Sequence, residues 1–239
     1  MIQRMLAGGL VAGFAAGLFA ALLHFAFIQE LILVGEQYET GAIIHFAETG
    51  DSTASHDHAP GEDDEHAHGD SGAEGSAFAR NALTVLFTGL IYAAYGLILV
   101  AGFALAEHFG RRVEASHGVL WGIAGFASLQ LAPAMGLPPE LPGTIAAELI
   151  QRQVWWLGTI LATGAGLALL AFGRGLLPAV IAGALLAAPH VIGAPHPDQY
   201  WGVAPPEVGA EFAARVLGVG LAAWAALGWL AARLWSAQS

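Results

Sequence analysis

The chain contains no cysteine and no lysine, and only 11% of its 239 residues are charged. The absence of cysteine excludes disulfides and thiolate metal sites, so any bound metal ion must be held by imidazole and oxygen ligands. That ligand set disfavours copper(I) and suits cobalt, nickel or zinc. The eight basic residues are outnumbered by nineteen Asp and Glu residues. The resulting formal net charge of -11 argues against binding of nucleic acid, whose phosphates require a basic surface.

Sequence motifs for nucleotide and hydrolytic chemistry are also missing. The chain has no Walker loop, no dinucleotide fingerprint and no nucleophile with a paired base, and its glycine-rich stretches lie inside apolar segments without a preceding strand. Zinc-finger and zinc-protease spacings are absent as well. We therefore expect no enzymatic activity, and energy for any driven transport must come from an ion or potential gradient or from a partner.

Long apolar segments dominate what is present, because hydrophobic residues make up 56% of the chain. Crossing a hydrocarbon core of about 30 Å takes about 20 apolar helical residues. Six such windows lie between the charges: 5–28, 81–106, 119–137, 154–172, 176–192 and 212–235. The first exceeds the roughly 7 to 15 residues of a signal-peptide core, so we expect it to be retained. We predict a single all-α integral membrane domain with about six transmembrane helices and proline-rich outer turns.

The arginines predict the orientation, because positive residues near helix ends stay in the cytoplasm. Five of them lie at one side of the predicted bundle and three at the other: Arg4, Arg111, Arg112, Arg174 and Arg233, against Arg80, Arg152 and Arg215. We predict a multi-pass protein of the bacterial inner membrane with both termini in the cytoplasm. Seventeen of nineteen carboxylates and eight of ten histidines then lie on or near the outer side.

An acidic, histidine-containing segment follows the first window. Residues 30–79 hold twelve Asp or Glu, five His and no basic residue, so they should concentrate cations outside the membrane. Residues 30–46 keep enough apolar side chains to lie along the membrane surface. Residues 47–76 have almost nothing to bury, and we expect them to be disordered without ligand.

Histidines in this segment are the first candidates for metal ligands. Two His-x-His units flank the acidic run 62–65, and His45 precedes them. Neutral imidazoles beside carboxylates are ligands that borderline divalent cations prefer, so we predict metal capture by His45, His56, His58, His66 and His68. A solvated acidic spacer with incidental histidines is the alternative.

Two further candidates lie at the outer ends of predicted helices. His24 falls about one and a half turns below the outer end of the first window, where an ionisable residue is by default a functional candidate. His190, His196 and Asp198 lie in a proline-rich stretch, 189–198, that is predicted to break the fifth helix. The alternatives are a packed, hydrogen-bonded histidine and a rigid proline-rich turn.

Glycines and prolines suggest how the helices pair. The first window carries Gly9, Gly13 and Gly17, a small-residue ladder that favours ordinary close packing of another helix. Two outer turns each contain Pro-Pro-Glu, ending at Glu140 and Glu207, which hints at an internal repeat of helix pairs. Each glutamate is a cation ligand or, alternatively, the partner of a downstream arginine, Arg152 or Arg215.

Several of these segments resemble one family, the predicted cobalt transporter subunit CbtA. The resemblance lies in residues 4–10 (RMLAGGL), 35–39 (GEQYE), 131–134 (LAPA), 136–143 (GLPPELPG), 152–156 (RQVWW) and 189–197 (PHVIGAPHP). It implies cobalt uptake for cobalamin synthesis beside a small single-span, histidine-bearing subunit, CbtB. It also implies that five positions matter: Glu36, Glu39, Glu140, His190 and Glu207. The variable acidic loop then serves capture rather than translocation.

We therefore predict a membrane subunit that takes up Co²⁺. Its transport path is expected where the Pro189-His190 and Pro138-Pro139-Glu140 segments meet the outer end of the first helix. The alternatives are a non-transporting metal-binding accessory, a nickel or zinc transporter subunit and a structural membrane protein.

Overall fold

Helices make up all the regular structure in the part of the chain that the computed structural model describes, residues 2–44 and 71–237 without the side chains of 2, 4 and 71–76. The α-helices are α1 (Ile2–Phe27), α2 (Gln29–Glu39), α3 (Ser71–His108), α4 (Gly118–Phe126), α5 (Ala132–Ala134), α6 (Leu149–Phe172), α7 (Leu176–Ile192) and α8 (Pro206–Ser236). A 3-10 turn, Ala115–His117, precedes α4, and a π-helical segment, Ala127–Leu131, joins α4 to α5. The predicted all-α class is confirmed.

Four of the described helices are long and apolar enough to cross a membrane: Met5–Phe27, Ala77–His108, Leu149–Phe172 and Pro206–Ser236. The shortest of these has 23 residues, or about 35 Å at 1.5 Å per residue. Helix α7 is apolar but has 17 residues, about 26 Å, which is less than a typical hydrocarbon core. Five of the six predicted windows therefore correspond to single helices, one of them short.

The remaining window, 119–137, differs from the prediction of one continuous helix. The chain forms α4, the π-helical segment and then the short α5, and it leaves the helix after Ala134. Pro133 has no N–H group to donate to the carbonyl one turn earlier, and the wider π turn accommodates the lost bond directly before it. We call this stretch, Gly118 to Ala134, the composite helix.

Contacts between helices show that the long elements alternate in direction. A Cβ on Gly9 would lie 3.1 Å from the Gly96 carbonyl, and one on Gly17 would lie 2.7 Å from Gly89 Cα, so α1 and α3 are antiparallel. Gly118 approaches the carbonyl of Gly228 and Gly125 approaches Trp224, so the composite helix and α8 are antiparallel as well.

The peripheral helices continue this alternation. A Cβ on Gly164 would lie 3.9 Å from Ser128 Oγ and one on Gly136 would lie 2.6 Å from Trp155, so α6 runs antiparallel to the composite helix. Residues 173–175 then turn the chain from α6 into α7. Helix α7 packs against α6 and against no other described helix.

Two hydrophobic clusters hold the described helices together. The larger joins α1, α3, the composite helix and α8, and the ring of the fully buried Phe103 lies edge-on to Trp121 and Trp235. The smaller cluster contains Ile28, Leu31, Leu141 and Phe212. It fixes the turn after α5 to α2 and to the beginning of α8. We call this end of the molecule, with α2 and the turns 135–148 and 193–205, the α2 end.

Candidate functional site

A half-open pocket of about 80 Å³ lies at the α2 end, between α1, α2 and the N-terminal half of α3. Its walls combine polar and apolar side chains: His24, Phe25, Gln29, Ile32, Leu33, Glu36, Arg80, Asn81 and Thr84. The volume is sufficient for several water molecules. The pocket is therefore large enough for a small ion that keeps part of its hydration.

The path of α1 into α2 places the first wall of the pocket. Only Ile28 separates the two helices, and it keeps helical dihedrals, φ -113 and ψ -41. The Ile28 N–H group donates to the His24 carbonyl at 2.9 Å, so the helical ladder continues across the junction. His24 and Glu36 consequently follow one another along nearly uninterrupted helix.

The N-terminal half of α3 forms the opposite wall, because α3 runs antiparallel to α1. Gln29 Nε2 donates to Asn81 Oδ1 at 3.3 Å, which links the two walls. The Thr84 hydroxyl donates to the Arg80 carbonyl at 3.0 Å, so this turn of α3 is held by its own side chain.

Charge in the pocket comes from one carboxylate and one guanidinium. Arg80 Nη1 lies 3.9 Å from Glu36 Oε2, and the two side chains are 52% and 44% exposed. His24 is half-buried, and its ring lies edge-on to Phe25 at 5.7 Å. One imidazole and one carboxylate thus share the pocket with the neutral oxygens of Gln29, Asn81 and Thr84.

A closed metal centre is not built by the described side chains. Within residues 2–44 and 71–237, no group of three or more His, Asp and Glu side chains is placed to hold one ion together. A divalent cation in the pocket would therefore bind fewer than three such side chains and would keep water in its other positions.

Glu140 and Glu39 lie beside the pocket without lining it. The predicted ion pair of Glu140 is present, because Arg152 Nη2 lies 3.4 Å from Glu140 Oε2. Glu39 is exposed on the last turn of α2. A Cβ added to Gly143, in the turn 135–148 after α5, would lie 3.5 Å from the Glu39 Cβ.

The second predicted ion pair, between Glu207 and Arg215, is wrong. Arg215 pairs with Glu211, four residues earlier on α8, and its Nη1 donates to the Phe27 carbonyl at the end of α1 at 3.0 Å. A spacing of four residues puts two side chains on adjacent turns of one helix face, whereas Glu207 lies a further turn back. Glu207 is exposed in the first turn of α8.

The fifth helix ends inside the proline-rich stretch 189–198, as predicted, but Pro189 is not the residue that ends it. Helix α7 includes Pro189 and ends at Ile192, where Gly193 adopts φ +86 and donates to the Pro189 carbonyl at 3.0 Å. Proline near a helix end costs one amide donor, but glycine in the left-handed region is what stops the helix. Trp155 Nε1 also donates to the Pro189 carbonyl, at 3.2 Å.

The three remaining candidates of that stretch lie on or after the end of α7. The half-buried His190 ring lies edge-on to Trp155, with centroids 6.3 Å apart. His196 is exposed and stacks on Tyr200 at 6.1 Å, and Asp198 is exposed nearby in sequence. None of these three lines the pocket of His24 and Glu36.

The acidic histidine segment lies largely outside the described residues. This applies to the candidate ligands His45, His56, His58, His66 and His68 and to residues 47–70 of the stretch predicted to be disordered. Residues 71–76 of that stretch form the start of α3, so for them the prediction of disorder is wrong.

Sequence reasoning missed four polar residues of the pocket: Gln29, Arg80, Asn81 and Thr84. They end the first apolar window and begin the second. Two consecutive membrane helices that pair as a hairpin bring such flanking residues together. Polar residues at the end of one window and the start of the next therefore indicated a shared polar site.

Comparison with known proteins gave one match. A family model described as "Probable cobalt transporter subunit (CbtA)" matches residues 2–236, nearly the whole chain. No curated protein and no solved structure matches the chain.

Proposed function

Because the chain belongs to the CbtA family of probable cobalt transporter subunits, we propose that it admits Co²⁺ into the cell for cobalamin synthesis. The observation that carries the proposal is the pocket that His24, on α1, and Glu36, on α2, both line. An ionisable residue on a membrane-spanning helix is costly unless it is used, and such residues mark ion pathways. In this pocket one of them shares a cavity with a carboxylate.

The ligand types of the pocket suit this substrate. Imidazole nitrogen and carboxylate oxygen both bind divalent first-row metals, and cysteine is absent from the chain. His24 and Glu36 are twelve residues apart on nearly continuous helix, about 18 Å, so each would hold the ion in turn, with water and the neutral oxygens completing the shell. A transport site must bind strongly enough to admit the ion and weakly enough to release it. One strong ligand at a time is consistent with that balance.

We further propose that the acidic segment captures metal ahead of the pocket. Its carboxylates raise the local concentration of cations, and its imidazoles hold borderline metals. The residues proposed for capture are His45, His56, His58, His66 and His68, with Glu39 between them and the pocket. Glu140 is assigned to its ion pair with Arg152, and His190, His196, Asp198 and Glu207 are proposed as secondary contacts at the same end.

The α2 end is proposed to face the outside of a bacterial inner membrane. The alternating helix directions support six crossings, counting the composite helix and α7, and they put Ile2 and Ser236 at the same end, which we propose to be the cytoplasmic one. The description of the family as a subunit supports a further membrane component. We propose the small single-span, histidine-bearing CbtB as that partner and as one source of energy coupling.

Uptake of ⁵⁷Co²⁺ by cells that lack the chain and then regain it tests the proposal. We expect His24→Ala and Glu36→Gln to lower the initial uptake rate at least tenfold. The matched controls, His117→Ala and Glu114→Gln, change the same residue types at the opposite end of the bundle and should leave the rate unchanged. Equal uptake by cells with and without the chain, measured with the partner present, rejects the proposal.

Nickel or zinc as the substrate is the second candidate. The nitrogen and oxygen ligands of the pocket favour it, because such sites bind Ni²⁺ more tightly than Co²⁺ in the usual order of affinity. Excess Ni²⁺ or Zn²⁺ added to the same uptake assay separates the candidates. Parallel measurement with ⁶³Ni²⁺ or ⁶⁵Zn²⁺ shows whether the competitor is itself transported.

A further inference from the structure

Arg80 places a positive charge at the position where a metal ion would bind Glu36. Its guanidinium lines the pocket together with His24 and Asn81, and its Nη1 is 3.9 Å from Glu36 Oε2. A guanidinium and a divalent cation compete for the same carboxylate, because each neutralises it and each repels the other.

The ion pair is not what holds this part of the protein together. Both side chains are about half exposed, at 52% and 44%, and exposed pairs contribute little to folding. The α2 and α3 walls are linked separately by the bond from Gln29 to Asn81 at 3.3 Å. On its other face α2 is held through Leu31, which packs with Leu141 and Phe212. Glu36 therefore keeps its position whether or not Arg80 is paired with it.

Arg80 is also built to leave the carboxylate without moving its helix. Its carbonyl accepts a hydrogen bond from Thr84 at 3.0 Å, which holds the backbone, while half of its side chain is open to solvent. The long side chain can place its charge in water by changing rotamers alone.

From these observations we propose that Arg80 is an exchangeable counter-ion of the pocket. It pairs with Glu36 when the pocket is empty, and an incoming Co²⁺ displaces it. The returning guanidinium then lowers the affinity for the metal and promotes its release. This inference rests on the proposed function and adds a residue that sets how tightly the transported ion is held.

Calorimetric titration of the purified full-length protein with Co²⁺ tests the proposal. The relevant signal is the component of binding that Glu36→Gln removes, which separates the pocket from the histidine segment. We expect Arg80→Gln to lower the Kd of this component about tenfold, the effect of one positive charge roughly 6 Å from a divalent ion at the dielectric constant of water. Arg80→Lys keeps the charge and should remain within about threefold of the natural protein.

Arg152→Gln is the matched control, because it removes an arginine that pairs with a single carboxylate, Glu140, at the same end of the molecule. It should leave the Kd unchanged. In uptake assays Arg80→Gln should lower the maximal rate, because the ion leaves the pocket more slowly.

The outcomes separate this proposal from the proposed function. If Glu36→Gln removes no binding component, then metal does not bind in the pocket, and the proposed function fails together with the counter-ion. If Glu36→Gln removes one but Arg80→Gln leaves its Kd unchanged or raises it, the counter-ion is rejected and the pocket stands. An equal decrease of the Kd in Arg152→Gln also rejects the counter-ion, because the loss of any positive charge at this end of the molecule would then explain the effect.

Discussion

At the scale of single residues, the arginines divide into two groups by their partners. Each of the three at the α2 end pairs with a carboxylate: Arg80 with Glu36, Arg152 with Glu140 and Arg215 with Glu211. The four with described side chains at the opposite end, Arg111, Arg112, Arg174 and Arg233, form no such pair within the described chain. The unneutralised positive charge is thus concentrated at the end that the positive-inside rule assigns to the cytoplasm.

Arg215 has a second function, because it also donates to the Phe27 carbonyl at the end of α1. Arg215→Gln should lower the free energy of unfolding by about 1 kcal/mol, the typical net value of a hydrogen bond with a discount for partial exposure. Glu207→Gln should change it by less than about 0.5 kcal/mol, since exposed substitutions usually do. Unfolding by SDS in mixed micelles, followed by circular dichroism, compares the two. An equal loss in both variants contradicts the assignment of Arg215 to the α1 end.

At the scale of elements, glycine decides which helices come closest. The ladder of Gly9, Gly13 and Gly17 was expected to receive another helix, and α3 is that helix. A Cβ on Gly13 would lie 2.5 Å from Ala93 Cα, a distance that real Cβ atoms do not reach. In lipid, close backbone approach of this kind supplies much of the association between helices.

Gly13→Ala should therefore push α1 away from α3. We expect it to lower the free energy of unfolding in detergent by about 1 to 3 kcal/mol, as overpacking does in other cores, and to lower the melting temperature accordingly. Gly183→Ala is the matched control, because Gly183 on α7 has no atom within 4 Å of its Cβ position. Alanine should be neutral or slightly stabilising there, since it favours helix over glycine. Equal melting temperatures for the two variants would show that the α1–α3 contact does not depend on glycine.

At the scale of the whole molecule, a tightly packed core carries a peripheral hairpin. Helices α1, α3, the composite helix and α8 share the larger buried cluster, whereas α7 reaches the rest of the protein through α6. The pocket lies on the core side, between α1, α2 and α3. Its geometry consequently depends on the core helices and on the turn that Leu141 fixes, rather than on the hairpin.

The absence of cysteine makes the membrane arrangement directly measurable. Single variants Ser116→Cys, before the composite helix, and Thr144→Cys, after it, should lie on opposite sides of the membrane. We expect a membrane-impermeant maleimide to label Thr144→Cys and Tyr200→Cys in intact cells, and Ser116→Cys only after permeabilisation. Labelling of Ser116→Cys and Thr144→Cys from the same side would mean that the composite helix does not cross.

The sequence by itself determined the helical class, the positions of the apolar segments and the exclusion of thiolate ligands. These follow from runs of residues and from composition, since hydrocarbon requires helices that satisfy their own backbone and missing cysteine removes thiolates. It also contained His24, Glu36 and the glycine ladder as separate candidates. Only the tertiary structure decided which candidates meet, because a pocket depends on helix direction and on side chains far apart in the chain. It joined His24 and Glu36 to Arg80 and Asn81, assigned Arg215 to Glu211, and divided the third window at Pro133 through a local loss of one hydrogen bond.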